Sequence, residues 1–263
     1  MLANSATAGD YFLAAMQQLT RQIRETQATG LNEAAAICAD AIAGDRVVFM
    51  FGAGHSAIPV METFPRIGSI VGFYPMLELY LSYNARVVGD MGMRQASYLE
   101  KLEGYAGIIM QNYEMKPPDA MILISHSGIN QLIVDMALEG RRRGLKIIAI
   151  TSRRHSLAHA PRHSSGLRLS EAADVVLDTC VPEGDALVEL PGLRWKVASA
   201  STIASCLIAD ALVARTAEVL LQRGYEPLVY PSHNVNGSPA EMEVTVAQEE
   251  KVLREFRRRA RMV

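Results

Sequence analysis

Short apolar runs alternate with helix-like segments along the chain, and this alternation predicts the fold class. Runs of that length, bounded by glycine or polar residues, are typical of strands that are buried on both faces of a parallel sheet. They occur at Val47–Phe51, Ile70–Tyr74, Ala120–Ile124, Lys146–Thr151 and Val175–Asp178. Apolar residues at three- and four-residue steps over Gln131–Arg143 predict a helix between two of them, and hence a right-handed crossover. The pattern predicts an α/β protein with a doubly wound parallel sheet flanked by helices.

Helices are also predicted at both ends of the chain. Residues 10–43 show helical periodicity, and Gly30 is expected to divide them into an N-terminal helical hairpin. Trp195–Arg223 predicts a long core helix and Glu241–Arg261 a charged terminal helix, while residues 76–116 predict irregular helix and loop. With no internal repeat and no clear linker, we expect a single domain. Its parts would be the hairpin (1–44), the α/β core (45–225) and a loop with the C-terminal helix (226–263).

Composition and charge exclude some partners. A formal net charge of −2 over 263 residues provides no positive field to hold nucleic acid. The apolar stretch Val197–Ala214 contains polar residues such as Asp210, so it predicts a buried helix and no membrane span. The three cysteines lie far apart without a C-x-x-C pair, which favours reduced thiols, and no signal peptide is visible at residues 1–10. We therefore expect a cytoplasmic protein.

The loop after the first predicted strand admits two functional interpretations. Gly52-Ala53-Gly54-His55-Ser56-Ala57 fits G-x-G-x-x-A, a variant of the dinucleotide fingerprint, and a helix is predicted from about Ser56 to Ile67. Glu78 follows roughly twenty residues on, as the ribose-binding acid of that motif would. A Rossmann oxidoreductase is therefore one hypothesis. A plain turn that caps a helix would use the same residue types.

A second loop, Ser125-His126-Ser127-Gly128-Ile129-Asn130, favours a different ligand. It lies between a predicted strand and a predicted helix N-terminus. Alternate hydroxyls, a glycine that permits close backbone approach and a helix N-terminus together suit a phosphate dianion without any lysine or arginine. A Rossmann protein has no particular use for such a loop at a later strand.

With these two loops, over roughly residues 10–240, the chain resembles the sugar isomerase (SIS) domain family of phosphosugar isomerases and phosphosugar-binding proteins. The resemblance rests on residues 51–56 and 124–130, each after a strand, and on the flanking helices. It implies a flavodoxin-like, three-layer fold. It also implies that the serines of the second loop bind the sugar phosphate and that Ser56 lines the same pocket. The binding residues then expected are Gly54, Ser56, Ser125, His126, Ser127, Gly128 and Asn130.

The catalytic groups are less clearly marked. Aldose–ketose isomerisation needs a base that moves a proton between adjacent carbons and a group that stabilises charge on oxygen. The family uses glutamates and histidines for this, often with one residue from a neighbouring subunit. The candidates are Glu62, Glu78, His55 and His233. Each could equally be a solvated surface or loop residue, because no spacing fixes its place.

Further polar clusters favour structural interpretations. His155, His159 and His163 recur at four-residue steps, but Pro161 argues against a helix in the polar segment Arg153–Ser170, so no metal site is expected. The arginines near the C-terminus are interpreted as a solvated helix face or a subunit contact.

These patterns lead to one main functional hypothesis. We expect a protein that binds a phosphorylated sugar without a cofactor and catalyses aldose–ketose isomerisation or related proton transfer, lyase chemistry included. A non-catalytic phosphosugar sensor is the alternative, and a nicotinamide-dependent oxidoreductase is the third hypothesis. The resemblance also implies a homodimer or homotetramer assembled through the long helices.

Overall fold

A five-stranded parallel sheet forms the centre of the molecule. The computed structural model describes residues 6–82, 92–234 and 237–261. The strand order is β2-β1-β3-β4-β5, and all four neighbouring pairs are parallel. The strands are β1 (Val48–Gly52), β2 (Phe73–Met76), β3 (Ala120–Ile124), β4 (Lys146–Thr151) and β5 (Val175–Asp178). The predicted fold class is confirmed, with three strands at their predicted bounds, β1 shifted by one residue and β2 starting three residues later.

The register brings the two predicted loops together. β1 pairs with β2 on one side and with β3 on the other, and Gly52 lies opposite Ile124. The carboxyl ends of β1 and β3 are therefore level, at the point where the strand order reverses direction. In open α/β sheets, that crevice is where ligands bind.

Helices cover both faces of the sheet. They are α1 (Ala8–Thr26), α2 (Ala28–Ala43), α3 (Ile58–Thr63), α4 (Leu79–Ser82), α5 (Gly92–Leu99), α6 (Tyr105–Met110), α7 (Gln131–Arg142), α8 (Arg153–Ala158), α9 (Leu169–Ala172), α10 (Ser201–Gln222) and α11 (Pro239–Ala260). Ile122 of β3 packs into the core cluster that contains α2 and α10, whereas Leu123 packs into the cluster that contains α6 and α7. Since successive side chains point to opposite faces, a strand between two helix layers must be apolar throughout.

Gly30 does not separate the first two helices, contrary to expectation. The break lies at Gln27, and Gly30 sits inside α2. A Cβ at Gly30 would lie 3.3 Å from Leu177 Cδ2 and 3.4 Å from the Val176 carbonyl oxygen. The glycine therefore lets α2 approach β5 closely, which is a tertiary role that helical periodicity alone does not reveal.

The long helix predicted from Trp195 begins later, at Ser201. A two-stranded antiparallel ribbon, β6 (Ala186–Val188) with β7 (Val197–Ser199), takes up the preceding residues. The Asp185 carboxylate accepts hydrogen bonds from Ala200 N at 2.9 Å and Ser201 N at 2.7 Å. A distant carboxylate thus caps α10, so its start could not be located from neighbouring sequence.

Two other predictions needed correction. The helix predicted over 56–67 is a 3-10 turn (Gly54–Ala57) followed by the short α3, which ends before Pro65 because proline disfavours helical backbone at the preceding residue. The segment 153–170, expected to be loop, contains α8 and the start of α9. Within the described ranges, no helix is long and apolar enough to cross a membrane.

Candidate functional site

A cavity of about 250 Å³ opens at the carboxyl ends of β1 and β3. Its polar lining comes from both predicted loops and from one further residue, Glu100. Phe51, Ile124, Leu132 and Ile133 form its apolar wall. The predicted residues that line it are Ser56, Ser125, His126, Ser127 and Asn130. The strand order thus brings together two loops about seventy residues apart in sequence.

Glycines give the first loop its shape. A Cβ on Gly52 would lie 2.2 Å from the Ser56 carbonyl oxygen, so only glycine allows the chain to fold back on itself there. Gly54 has φ +59°, the left-handed region that favours glycine. The turn closes with Ser56 N donating to the Ala53 carbonyl oxygen at 3.1 Å. Ser56 is thereby held at the cavity, whereas Gly54 supports the turn from outside the lining.

The second loop is held against β4. Gly128 has φ +61°, and a Cβ there would lie 2.7 Å from Thr151 Oγ1. Gly128 N donates to Ser125 Oγ at 3.1 Å, and the Ser125 and Ser152 amides bond the loop to neighbouring main chain. Ser125 and Ser127 line the cavity just before the N-terminus of α7, and a helix N-terminus is a favourable place for an anion.

Glu100 is the cavity residue that sequence reasoning missed. It directly follows α5, and its carbonyl oxygen accepts from Leu132 N at 3.1 Å in the first turn of α7. Its Oε2 accepts from Asn130 Nδ2 at 3.0 Å, and its Oε1 lies 4.0 Å from the Cβ that a residue at Gly54 would carry. Burial raises the pKa of Glu100, although the Asn130 hydrogen bond opposes this. A raised pKa makes a carboxylate a stronger base, which suits a group that accepts and returns a proton.

His126 begins a row of three imidazoles. Its ring centroid lies 4.5 Å from that of His155, which lies 4.7 Å from that of His159. Both His126 ring nitrogens are buried without a hydrogen-bond partner among the described residues. Burial lowers the pKa of His126 and of His155, and each imidazole also disfavours charge on its neighbour. Burial thus disfavours the charged forms of His126 and His155.

The four predicted catalytic candidates do not line this cavity. His55 lies in the first loop but is exposed. The Glu62 Oε1 accepts from Arg66 Nε at 2.8 Å, at a separate cavity of about 340 Å³ that Asp210 also lines. Glu78 follows β2 and accepts from Tyr113 Oη at 3.4 Å. His233 Nε2 lies 2.9 Å from Glu249 Oε2 of α11. Their catalytic roles stay predictions, because the structure describes a single chain and a residue of this family can act in the site of a neighbouring subunit.

The third histidine of the polar segment is separate from the row. His163 Nε2 lies 2.9 Å from Asp135 Oδ1, and its Nδ1 accepts from Ser165 N at 3.0 Å. Among the residues that the structure describes, no three histidine, cysteine or acidic side chains are grouped so as to hold a metal ion.

The sheet order also bears on the dinucleotide hypothesis. Among the described strands β2 is at the edge of the sheet, whereas the Rossmann order 3-2-1-4-5-6 places another strand outside it. The observed order is that of flavodoxin-like sheets, as the resemblance implies.

Comparisons with known proteins agree with this fold. Residues 11–152 match the family model described as SIS domain. A UPF0309 protein of Listeria monocytogenes is 34% identical over 221 residues, which cover 84% of this chain and 88% of that protein. A UPF0309 protein of Streptomyces griseus is 34% identical over 236 residues, covering 90% and 92% of the two chains.

Two solved structures share the fold at low sequence identity. A phosphoheptose isomerase from Francisella tularensis has a TM-score of 0.50 and 14% identity, covering 81% of this chain and 100% of that one. The Vibrio vulnificus NanR protein complexed with ManNAc-6P has a TM-score of 0.51 and 14% identity, covering 96% and 70%. By the family model, which matches more than half of its residues, the chain belongs to the SIS domain family.

Proposed function

We propose that the cavity at the carboxyl ends of β1 and β3 binds a phosphorylated sugar. The observation that carries this proposal is the convergence of three serines, Ser56, Ser125 and Ser127, on one cavity at the strand-order reversal. The hydroxyls and the N-terminus of α7 suit the phosphoryl group. Membership of the SIS family supports the same ligand class, as do the two structural neighbours, one a phosphoheptose isomerase and the other a protein complexed with ManNAc-6P.

Glu100 is the general base in this proposal. It shares the cavity with the serines, so a sugar held by its phosphate extends toward the carboxylate. Glu100 would take a proton from the carbon next to the carbonyl, giving an enediolate, and return it to the former carbonyl carbon, while a second proton passes from the hydroxyl oxygen to the former carbonyl oxygen. Its burial fits such an exchange, because a raised pKa brings the base closer to the operating pH. Glu62, Glu78, His55 and His233 remain candidates for other steps, including steps in a neighbouring subunit.

Ligand binding can be tested by thermal shift. The purified protein is heated with a panel of aldose and ketose phosphates, the same sugars without phosphate, inorganic phosphate and NAD(P). A native-state ligand at a hundred times its dissociation constant stabilises by about 2.7 kcal/mol, so a true ligand is readily detected. We expect a shift with at least one sugar phosphate that is lost in Ser127→Ala. A shift only with NAD(P), unchanged in Ser127→Ala, would contradict the proposal.

Catalysis is tested separately by NMR in deuterium oxide. The sugar phosphate that stabilises the protein should gain deuterium at the carbon next to its carbonyl. Glu100→Gln should slow this exchange by about 10²- to 10⁴-fold, the usual contribution of a general base, while the thermal shift persists. A ligand that binds without any exchange would contradict proton transfer by Glu100 and favour the phosphosugar sensor.

A further inference from the structure

Asn130 occupies the N-cap of α7, yet its side chain does not cap the helix. An asparagine at this position usually accepts a hydrogen bond from an amide of the first turn. Here Asn130 Oδ1 accepts from Arg162 Nη1 at 2.8 Å, and Nδ2 donates to Glu100 Oε2 at 3.0 Å. The Asn130 side chain therefore bridges two groups of opposite charge and does not cap the helix.

The two neighbours determine which way the Asn130 amide points. A guanidinium only donates, so the atom that faces Arg162 must be the carbonyl oxygen. An ionised carboxylate only accepts, so the atom that faces Glu100 must be the nitrogen. Of the two contacts, only the one with Arg162 is independent of pH, because arginine stays charged while the Glu100 carboxyl group can take up a proton.

We propose that Arg162 is a positioning residue of the site, which acts on Glu100 by fixing the orientation of the Asn130 amide. The proposal rests on the proposed role of Glu100, and it adds a residue that lies outside the cavity lining. By holding Oδ1, Arg162 keeps the amide N–H on Glu100 and so favours the ionised carboxylate. A general base must be in that form to accept a proton.

Two opposing effects make this orientation matter. Burial raises the pKa of Glu100, whereas the Asn130 hydrogen bond and, to a smaller extent, the charge of Lys101 lower it. Without Arg162 the amide can turn, and its oxygen can then accept a hydrogen bond from the protonated carboxyl group. Such a bond stabilises the acid form, so the pKa would rise further.

The main chain around Arg162 is well anchored although its side chain is exposed. Arg162 N donates to the Ile129 carbonyl oxygen at 3.1 Å, inside the second loop. The next residue, His163, is buried against Asp135 of α7 at 2.9 Å. Ser164 N donates to Glu103 Oε1 at 2.7 Å, in the segment that follows Glu100. Arg162 therefore starts from a position fixed relative to both Asn130 and Glu100.

The experiment measures the protonation of Glu100 directly in the ligand-free protein. Carbon-13 NMR of labelled glutamate carboxyl groups is recorded from pH 3 to 9, and the Glu100 signal is assigned by its absence in Glu100→Gln. Arg162→Met should move the Glu100 midpoint upward by about one pH unit, equivalent to losing one hydrogen bond to a charged group. Arg162→Lys should restore most of it, because an ammonium group also only donates. Arg154→Met, an exposed arginine of α8, is the matched control and should leave the midpoint unchanged.

Equal midpoints in the wild type, Arg162→Met and Arg154→Met would overturn the inference. Equal displacement by Arg162→Met and Arg162→Lys would overturn it as well, since a merely structural loss is not rescued by another donor. Failure of the proposed function would appear in a different measurement, the thermal-shift assay, where no sugar phosphate would stabilise the protein.

Discussion

The two ends of the parallel strands, called here the amino edge and the carboxyl edge, differ in how their buried polar groups are paired. At the amino edge, Arg46 and Asp119 are 7% and 1% exposed and form a two-pronged pair of 3.0 and 2.5 Å. The Asp119 carboxylate also accepts from Val47 N at 3.0 Å and Lys116 N at 2.9 Å. At the carboxyl edge, Glu100 has a carboxylate disfavoured by burial, and the ring nitrogens of His126 have no partner among the described residues. At the amino edge the buried charges are paired, which stabilises the fold. At the carboxyl edge, polar groups are left available for hydrogen bonds with a ligand.

The largest expected effect comes from breaking the amino edge. Asp119→Ala leaves the Arg46 charge buried without its carboxylate, which should lower the free energy of unfolding by about 3–5 kcal/mol in urea titrations. Asp40→Ala is the control, because the Asp40–Arg223 pair of 2.7 Å is largely exposed. It should cost about 1 kcal/mol or less. Equal costs for the two variants would contradict the contrast.

The second loop should be disrupted by a single methyl group. Gly128→Ala and Gly166→Ala both place alanine at positive φ, +61° and +73°, but only the first meets another atom, Thr151 Oγ1 at 2.7 Å. Gly128→Ala should therefore cost about 1–3 kcal/mol more in unfolding and abolish the thermal shift with sugar phosphate. Gly166→Ala should retain that shift. Loss of the shift in both variants would mean that general instability, and not the loop, is responsible.

Removing the charge of Glu100 should not destabilise the fold. Its pKa is raised by burial, so the folded protein binds this proton more tightly than the unfolded chain does. Stability is then lost as pH rises above the ordinary glutamate pKa of about 4.3 toward the raised value. Glu100→Gln should lack that loss and be as stable as the wild type, or more stable, in urea at pH 7. A marked destabilisation would show that the carboxylate has a structural role.

The smallest effect is expected from the histidine row. The pKa values of His126 and His155 are lowered by burial, so the unfolded chain takes up these protons first. Stability present above about pH 6.5 should fall as pH drops through the lowered values. The charges of Asp185 and Glu183 raise the pKa of His155 and so oppose this loss of stability. His159 and Arg162 lower that pKa further.

The measurement is the melting temperature from pH 8 to 5. His155→Phe should flatten the acidic side of the profile, and the exposed His55→Phe should not. Identical acid slopes in the two variants would contradict the lowered pKa of His155.

The parts of the structure that sequence predicted are those set by local pattern. β3 follows from an unbroken apolar run and β5 from a shorter one that ends at Asp178, and the second loop follows from serine and glycine between a strand and a helix. Glu100 could not be found, because its place depends on a contact with Asn130 thirty residues away, and nothing local separates it from Glu103. The role of Gly30 is likewise set by a tertiary contact, the packing of α2 on β5, which the local sequence does not show.

The central claim is that sugar phosphate binds between the first and second loops. Backbone amide NMR of the labelled protein, titrated with the sugar phosphate that gives the largest thermal shift, locates the site directly. We predict that the largest changes fall on residues 52–56, on residues 125–133 and on Glu100. Changes centred instead on the Glu62 and Asp210 cavity, with the two loops unmoved, would contradict the account.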